Sequence, residues 1–134
     1  MNMSRPGTNF IIPLSPFLSY YAAMTTRRQI GVAIIGFGYW GPRLLKSLSI
    51  LPDVRIVAVR VTKSYKDAIR DDRVQAVIVA TPPSTHFEIA SYALTHGKHV
   101  FVEKPMTKTT EHATKLIELA RQKRLILLVD HTYI

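Results

Sequence analysis

The sequence predicts an α/β fold, a doubly wound parallel sheet with crossover helices packed on its faces. Three observations carry that expectation. From Ile30 onward, short apolar runs alternate with helical periods, the pattern of parallel strands joined by crossover helices. The runs are apolar at nearly every position, as strands buried on both faces must be. A glycine-rich turn lies directly between the first run and the first helical period, where a strand must turn tightly into a helix.

The elements follow in order along the chain. Ile30 to Ile35 is the first buried strand, and Trp40 to Leu51 the first helix, with Gly41, Leu44, Leu45 and Leu48 on one face until Pro52 ends it. Val54 to Val59 is strand two, Tyr65 to Arg70 a short helix, and Val74 to Ala80 a third strong strand. Ser84 stands where a helix can be capped, Phe87, Ala90, Ala93 and Leu94 share one face of that helix, and Gly97 takes the left-handed position at its end. Lys98 to Val102 is the next strand. A helix over Thr109 to Lys123 sets Ala113, Leu116, Ile117 and Ala120 at helical spacing, with Glu111 and Lys115 paired outside. Leu125 to Val129 is the last strand, and no internal repeat is present.

A chain of 134 residues, 47% hydrophobic and 20% charged, has the length and composition of one soluble domain with one core. The lack of cysteine excludes a disulfide framework and thiolate metal sites and fits a reducing compartment, so the cytoplasm is the expected location. A formal net charge of +9 brings phosphate-bearing partners into view. The basic residues are scattered, however, and no aromatic-interleaved basic stripe points to nucleic acid. Met1 to Ala23, with Pro6, Pro13 and Pro16, reads as an irregular tail. Prolines interrupt its apolar run from Phe10 to Tyr21, which argues against a signal peptide. No apolar run approaches the ~20 residues of a membrane span. Met24 opens a segment that reads as a natural protein start, so residues 24–134 are the expected domain.

The turn itself reads Gly36-Phe37-Gly38-Tyr39-Trp40-Gly41, a G-x-G-x-x-G motif in the strand-turn-helix setting that gives the motif meaning. Gly36 permits the tight turn, Gly38 lets a pyrophosphate approach the backbone, and Gly41 lets the helix pack closely on the strand. The phosphates would face the helix N-terminus. The expected fold is therefore Rossmann-type, and the expected cofactor is NAD or NADP.

The same motif calls for an acidic residue about 20 positions on, to bind the adenosine ribose. Here the chain reads Val59-Arg60-Val61, with no Asp or Glu until Asp67. A parallel crossover needs about a dozen residues, so Val61-Thr62 cannot be the next parallel strand. The sheet is thus expected to lack the third strand and its preceding helix. In the numbering of the six-stranded fold its order becomes 2-1-4-5-6, with RIVAVRVT as one extended edge segment. Dinucleotide binding should be weak, with little preference against the 2′-phosphorylated form, and Arg60 stands where it can favour NADP.

Four segments in order, GFGYWGP, ATPPSTH, GKHVFVEKP and the closing VDHTYI, make the stretch from Gln29 to Ile134 resemble the Gfo/Idh/MocA oxidoreductases. The family is named for glucose-fructose oxidoreductase and inositol dehydrogenase. GYWGP with KHVFVEKP looks most like its nucleotide-sugar branch, which oxidises the 3-position of sugar nucleotides. The resemblance implies that Thr81 and Pro82 end a strand beside the nicotinamide and that Ser84 and His86 begin the next helix near the cofactor. It makes Glu103-Lys104-Pro105 the EKP motif, with Glu103 at the cofactor. Lys104 is then the catalytic residue, between the nicotinamide ribose and the substrate hydroxyl, where a cation favours deprotonation of the reacting oxygen. His131 matches a family position near the substrate domain, and a hydrogen-bonded strand-end residue is the equal alternative. The substrate would be a sugar-type small molecule bound with a C-terminal domain. That domain is missing after Ile134, so the chain alone is expected to be inactive.

His96 and His99 flank a helix C-terminus, where a cationic ring is favourable, and His112 lies on a helix surface. No set of histidines and carboxylates has metal-ligand spacing, so no metal is expected. A noncatalytic nucleotide-binding or subunit-pairing module is the competing reading. The lost helix should leave apolar sheet surface uncovered, which predicts association with a partner or a second copy.

Overall fold

The computed structural model describes residues 28–60 and 65–131. The tail from Met1 to Ala23, the start at Met24, Val61-Thr62 of the edge segment and the closing Thr132 to Ile134 lie outside the described residues. Five strands form one parallel sheet: β1 (Ile30–Ile35), β2 (Val54–Arg60), β3 (Ala76–Val79), β4 (His99–Glu103) and β5 (Leu127–Asp130). The helices between them are α1 (Gly41–Ser49), α2 (Tyr65–Arg70), α3 (Pro83–Thr95) and α4 (Thr110–Lys123).

The sheet order is β2-β1-β3-β4-β5, the order expected of the six-stranded fold without its third strand. Between β2 and α2 stand only residues 61–64, too few for a crossover and another parallel strand. Among the described residues β2 is therefore an edge of the sheet. Its register against β1 begins with Ile30 opposite Val54 and slips after Val32, so that Ala33 lies opposite Ala58. Val57 is the extra residue of this bulge.

Strand alternation divides the core in two. On one face Val32, Ile34 and Ile78 pack against Leu44, Leu45 and Leu48 of α1. On the other, Ala33, Ile35, Val77, Val79, Val100 and Val102 meet the buried faces of α2, α3 and α4. Right-handed crossovers require this division, because β1 to β2 runs one way across the sheet and every later step runs the other. Tyr65 fixes α2 in place: its hydroxyl donates to Glu88 Oε1 at 2.6 Å and its ring meets Tyr92 edge-on. Burial, together with the bond to Glu88, pushes its phenol up to about 12.

Two helix details differ from the sequence reading. Ser84 is not a cap: α3 starts one residue earlier at Pro83, with Pro82 as the flanking residue and no side-chain cap. A proline with no N–H and a helical φ is suited to the first turn, where it removes one of the amides a cap would otherwise serve. On α4, Thr109 caps by accepting from the His112 amide at 3.2 Å, and Leu116 and Ala120 are buried. Ile117, by contrast, is exposed, and Leu119 packs against the core in its place. The stripe that α4 presents to the sheet is narrower than the apolar arc of its sequence. Gly97 does end α3 with φ 74°, and Glu111 pairs with Lys115 on the outer face.

Leu116→Ala should cost about 2–5 kcal/mol in denaturant unfolding, the usual range for a fully buried leucine, whereas Ile117→Ala should stay within about 0.5 kcal/mol. Equal losses at the two positions would contradict this placement of α4.

Candidate functional site: a cleft at the switch point of the sheet

Strand β1 pairs with β2 on one side and β3 on the other. The chain leaves β1 toward one face and leaves β3 toward the opposite face, so the two loops diverge at the carboxyl end of the sheet and open a crevice. That crevice is a cleft of about 400 Å3. Residues 36 to 40 of the glycine turn form one wall, and Ala80, Thr81 and Pro82 form the other.

Each glycine of the turn has its own reason. Gly36 has φ 100°, and a Cβ there would stand 2.3 Å from the Ala80 carbonyl oxygen. Its amide donates to Arg60 O at 2.8 Å, while Ala80 N donates to Ile35 O at 2.8 Å, so the turn is tied to both neighbouring strands. At Gly41 a Cβ would lie 2.6 Å from Gly36 O, because α1 begins directly against the turn. Gly38 is different: a Cβ there meets nothing within 4 Å. Packing within the protein does not require that glycine, and the space beside its backbone is open to a ligand. The first turn of α1 carries no acidic residue, and Trp40 gives no side-chain cap, so the positive end of the helix dipole stands at the cleft without a carboxylate to offset it. Phe37 and Tyr39 are exposed at the rim. The Arg43 guanidinium lies 3.8 Å over the Tyr39 ring and donates to Tyr39 O at 2.6 Å.

On the opposite wall Thr81 is buried, with its Oγ1 2.8 Å from Thr85 Oγ1. His86, fully buried, lies behind this wall rather than in it. Its Nε2 is 2.7 Å from Thr81 O and its Nδ1 2.9 Å from Pro105 O. Both partners are carbonyl acceptors, so a ring with a single N–H donates to one of them at a time, and His86 packs between the loops that follow β3 and β4. Ser84 is exposed and lines a second groove of about 300 Å3 with Lys108 and His112. His112 stacks on Phe87 with ring centroids 3.9 Å apart. His99 accepts from the Ile126 amide at 3.0 Å, a structural role inside the sheet, and His131 is exposed beyond β5.

At the end of β4 Glu103 is buried, and Lys104 just beyond it is exposed. The parallel register sets Glu103 opposite Asp130, so that the two carboxyls face each other at the ends of neighbouring strands. Burial first, then the bond to Asp130 and its charge, push the Glu103 carboxyl above the usual range. Its Oε1 is buried with no hydrogen-bond partner. Asp130 and Thr85 were not singled out from the sequence. Asp130 lies within the VDHTYI segment, but its pairing comes from the register of β4 and β5.

The fold thus brings Gly36, Phe37, Gly38, Tyr39, Trp40, Thr81 and Pro82 together in one cleft, with Gly41 beneath it. Ser84, His86, Glu103 and Lys104 do not line that cleft. Among the described residues no group of histidines and carboxylates is arranged to hold a metal, and no helix is long and apolar enough to cross a membrane. A glycine-rich turn at the switch point of a parallel sheet is the arrangement of a dinucleotide-binding Rossmann domain.

The Gfo/Idh/MocA family model, described as an oxidoreductase family with an NAD-binding Rossmann fold, matches residues 54–131. The chain belongs to that family and carries its NAD(P)-binding domain. An uncharacterised oxidoreductase of Synechocystis is 30% identical over 128 residues, covering 82% of this chain and 34% of its own length. The UDP-N-acetylglucosamine 3-dehydrogenase of Acidithiobacillus ferrooxidans is 45% identical over 58 residues, covering 43% of this chain and 18% of its own. A 3-ketoreductase from Actinomadura kijaniata, crystallised with TDP-benzene and NADP, matches with a TM-score of 0.72 and 29% identity, covering 76% of this chain and 38% of that one. The chain therefore spans well under half the length of these relatives.

The raised Glu103 carboxyl makes a prediction about pH. Folding favours its protonated form, so its contribution to stability is lost as pH rises from the ordinary carboxyl range through the raised value. Glu103→Gln keeps the shape without the titration. The stability of the variant relative to wild type should grow from acidic to neutral pH in denaturant unfolding, and a difference that stays flat or shrinks would contradict the pairing.

Proposed function

We propose that this chain is the cofactor-holding part of an oxidoreductase that moves hydride between NAD(P) and the hydroxyl of a sugar or nucleotide sugar. The open space at Gly38 carries the reading, because that glycine has no packing partner to explain it and lies on the cleft. The backbone amides of residues 36 to 41 hold the pyrophosphate, with the start of α1 supplying positive potential. Thr81 and Pro82 form the wall against the nicotinamide, and Ser84 lies near the cofactor at the start of α3. His86 positions Thr81 and the Lys104-Pro105 backbone, and Glu103 positions Lys104 through its neighbouring carboxyl. The bound nicotinamide supplies the hydride acceptor or donor.

Lys104 is the catalytic residue in this reading. It is exposed at the carboxyl end of β4, free to hold a substrate hydroxyl and favour its loss of a proton. The substrate pocket belongs to the remainder of a family-length protein, since residues 24–134 serve as the dinucleotide domain. Turnover then needs substrate orientation from that part, an effect worth about 7–11 kcal/mol. Support for a sugar-type substrate comes from the dehydrogenase and ketoreductase relatives, which act on a sugar nucleotide or were crystallised with a TDP compound. Support for NADP as one of the two cofactor forms comes from the same crystal complex. Cytoplasmic residence fits the cysteine-free composition. The exposed Ile126 and Leu128 favour association with further protein surface.

Fluorescence titration with NADH and NADPH tests the reading. The chain should bind, and Gly38→Val should abolish binding while leaving the thermal midpoint of the free protein unchanged, since its Cβ enters open space. Equal affinity of wild type and Gly38→Val would remove the case for this cleft.

A further inference from the structure

We infer that the site takes the 2′-phosphorylated cofactor, NADP(H), and that Arg60 holds its 2′-phosphate; the inference rests on the dinucleotide reading above. The residue at the end of β2 beside the glycine turn stands where the adenosine ribose binds in this fold. The bulge decides which residue that is. In the register that opens with Ile30 opposite Val54, Ile35 would face Val59. The extra residue, Val57, moves the end of β2 by one, and Ile35 instead faces Arg60. The Gly36 amide then donates to Arg60 O at 2.8 Å, which fixes the arginine backbone directly against the turn. Bulges beside binding sites commonly re-aim one side chain in this way.

The chemistry of Arg60 suits a phosphate and does not suit a bare ribose. A ribose bound by its two hydroxyls needs an acceptor, which is the role of the acidic residue in NAD-binding sites. Arginine has five N–H donors and no acceptor. It matches phosphate oxygens with two parallel hydrogen bonds and full charge. Arg60 is exposed, and its Nη1 donates to Val59 O at 3.0 Å, a local bond that a phosphate can replace. No competing carboxylate lies nearby in sequence: from Val54 to Lys66 the chain carries Arg55, Arg60, Lys63 and Lys66 and no Asp or Glu. The first acid after β2, Asp67, is exposed on α2. This part of the site is therefore built for an added negative charge.

Isothermal titration of the 134-residue chain with NADPH and NADH, at low and at high salt, tests the inference. NADPH should bind roughly tenfold or more tightly than NADH, as expected of a charge-assisted phosphate contact, and the ratio should shrink as salt screens it. Arg60→Gln should erase the ratio by weakening NADPH while NADH stays within about twofold, and Arg60→Glu should reverse it. Unchanged thermal midpoints confirm that both variants fold, as an exposed position allows. Equal or tighter binding of NADH by wild type, or a ratio untouched by Arg60→Gln, overturns the assignment and leaves the dinucleotide reading standing. Binding of neither dinucleotide overturns both.

Discussion

A side chain at position 36 would collide with the backbone of Ala80, and the cofactor end of the sheet is arranged around that contact. Glycine at a positive φ lets the chain leave β1 while its amide still bonds to the end of β2 and its Cα lies against the end of β3. Three strands are held together at one point by backbone alone. The turn can then place Gly38 over open space, and α1 can start close enough for Gly41 to touch Gly36. A turn held this firmly beside a cleft would need little reorganisation to receive an anionic ligand.

Behind the opposite wall, a second set of contacts couples the strand ends to each other. His86 spans from Thr81 to Pro105, and Glu103 pairs with Asp130 across β4 and β5. Buried polar groups of this kind are costly unless partnered, and here they join the loops that follow three successive strands. Lys104 lies between these two braces in the chain.

Much of this was legible in the sequence, because parallel strands buried on both faces leave continuous apolar runs and because a turn of G-x-G-x-x-G type admits few other residues. The missing strand could be read by counting, since Val61 to Ser64 cannot span a crossover. Other features have no local signal. The bulge at Val57 depends on the pairing of two strands, and the Glu103 and Asp130 pair depends on the register of two others. Ile117 has the helical spacing of a core residue, yet α4 touches the sheet through a narrow stripe that spacing cannot delimit. Ser84 fits a cap by residue type, but the two prolines before it start the helix first. The edge left by the absent strand carries Arg55 and Arg60, both exposed, and charged residues of this kind discourage pairing with another edge. Arg60 thus stands at both the edge and the proposed ribose position.

In the proposed function a dinucleotide seats on the turn at the switch point of the sheet. Amide NMR spectra of the isotopically labelled chain during titration with NADPH test it most directly, residue by residue. Saturable shifts should concentrate on Gly36 to Arg43, Arg60, Ala80 and Thr81, with little change at Leu116 or Ala120, where α4 packs on the core. Shifts confined to the groove of Ser84, Lys108 and His112, or spread over the surface without saturation, would contradict it.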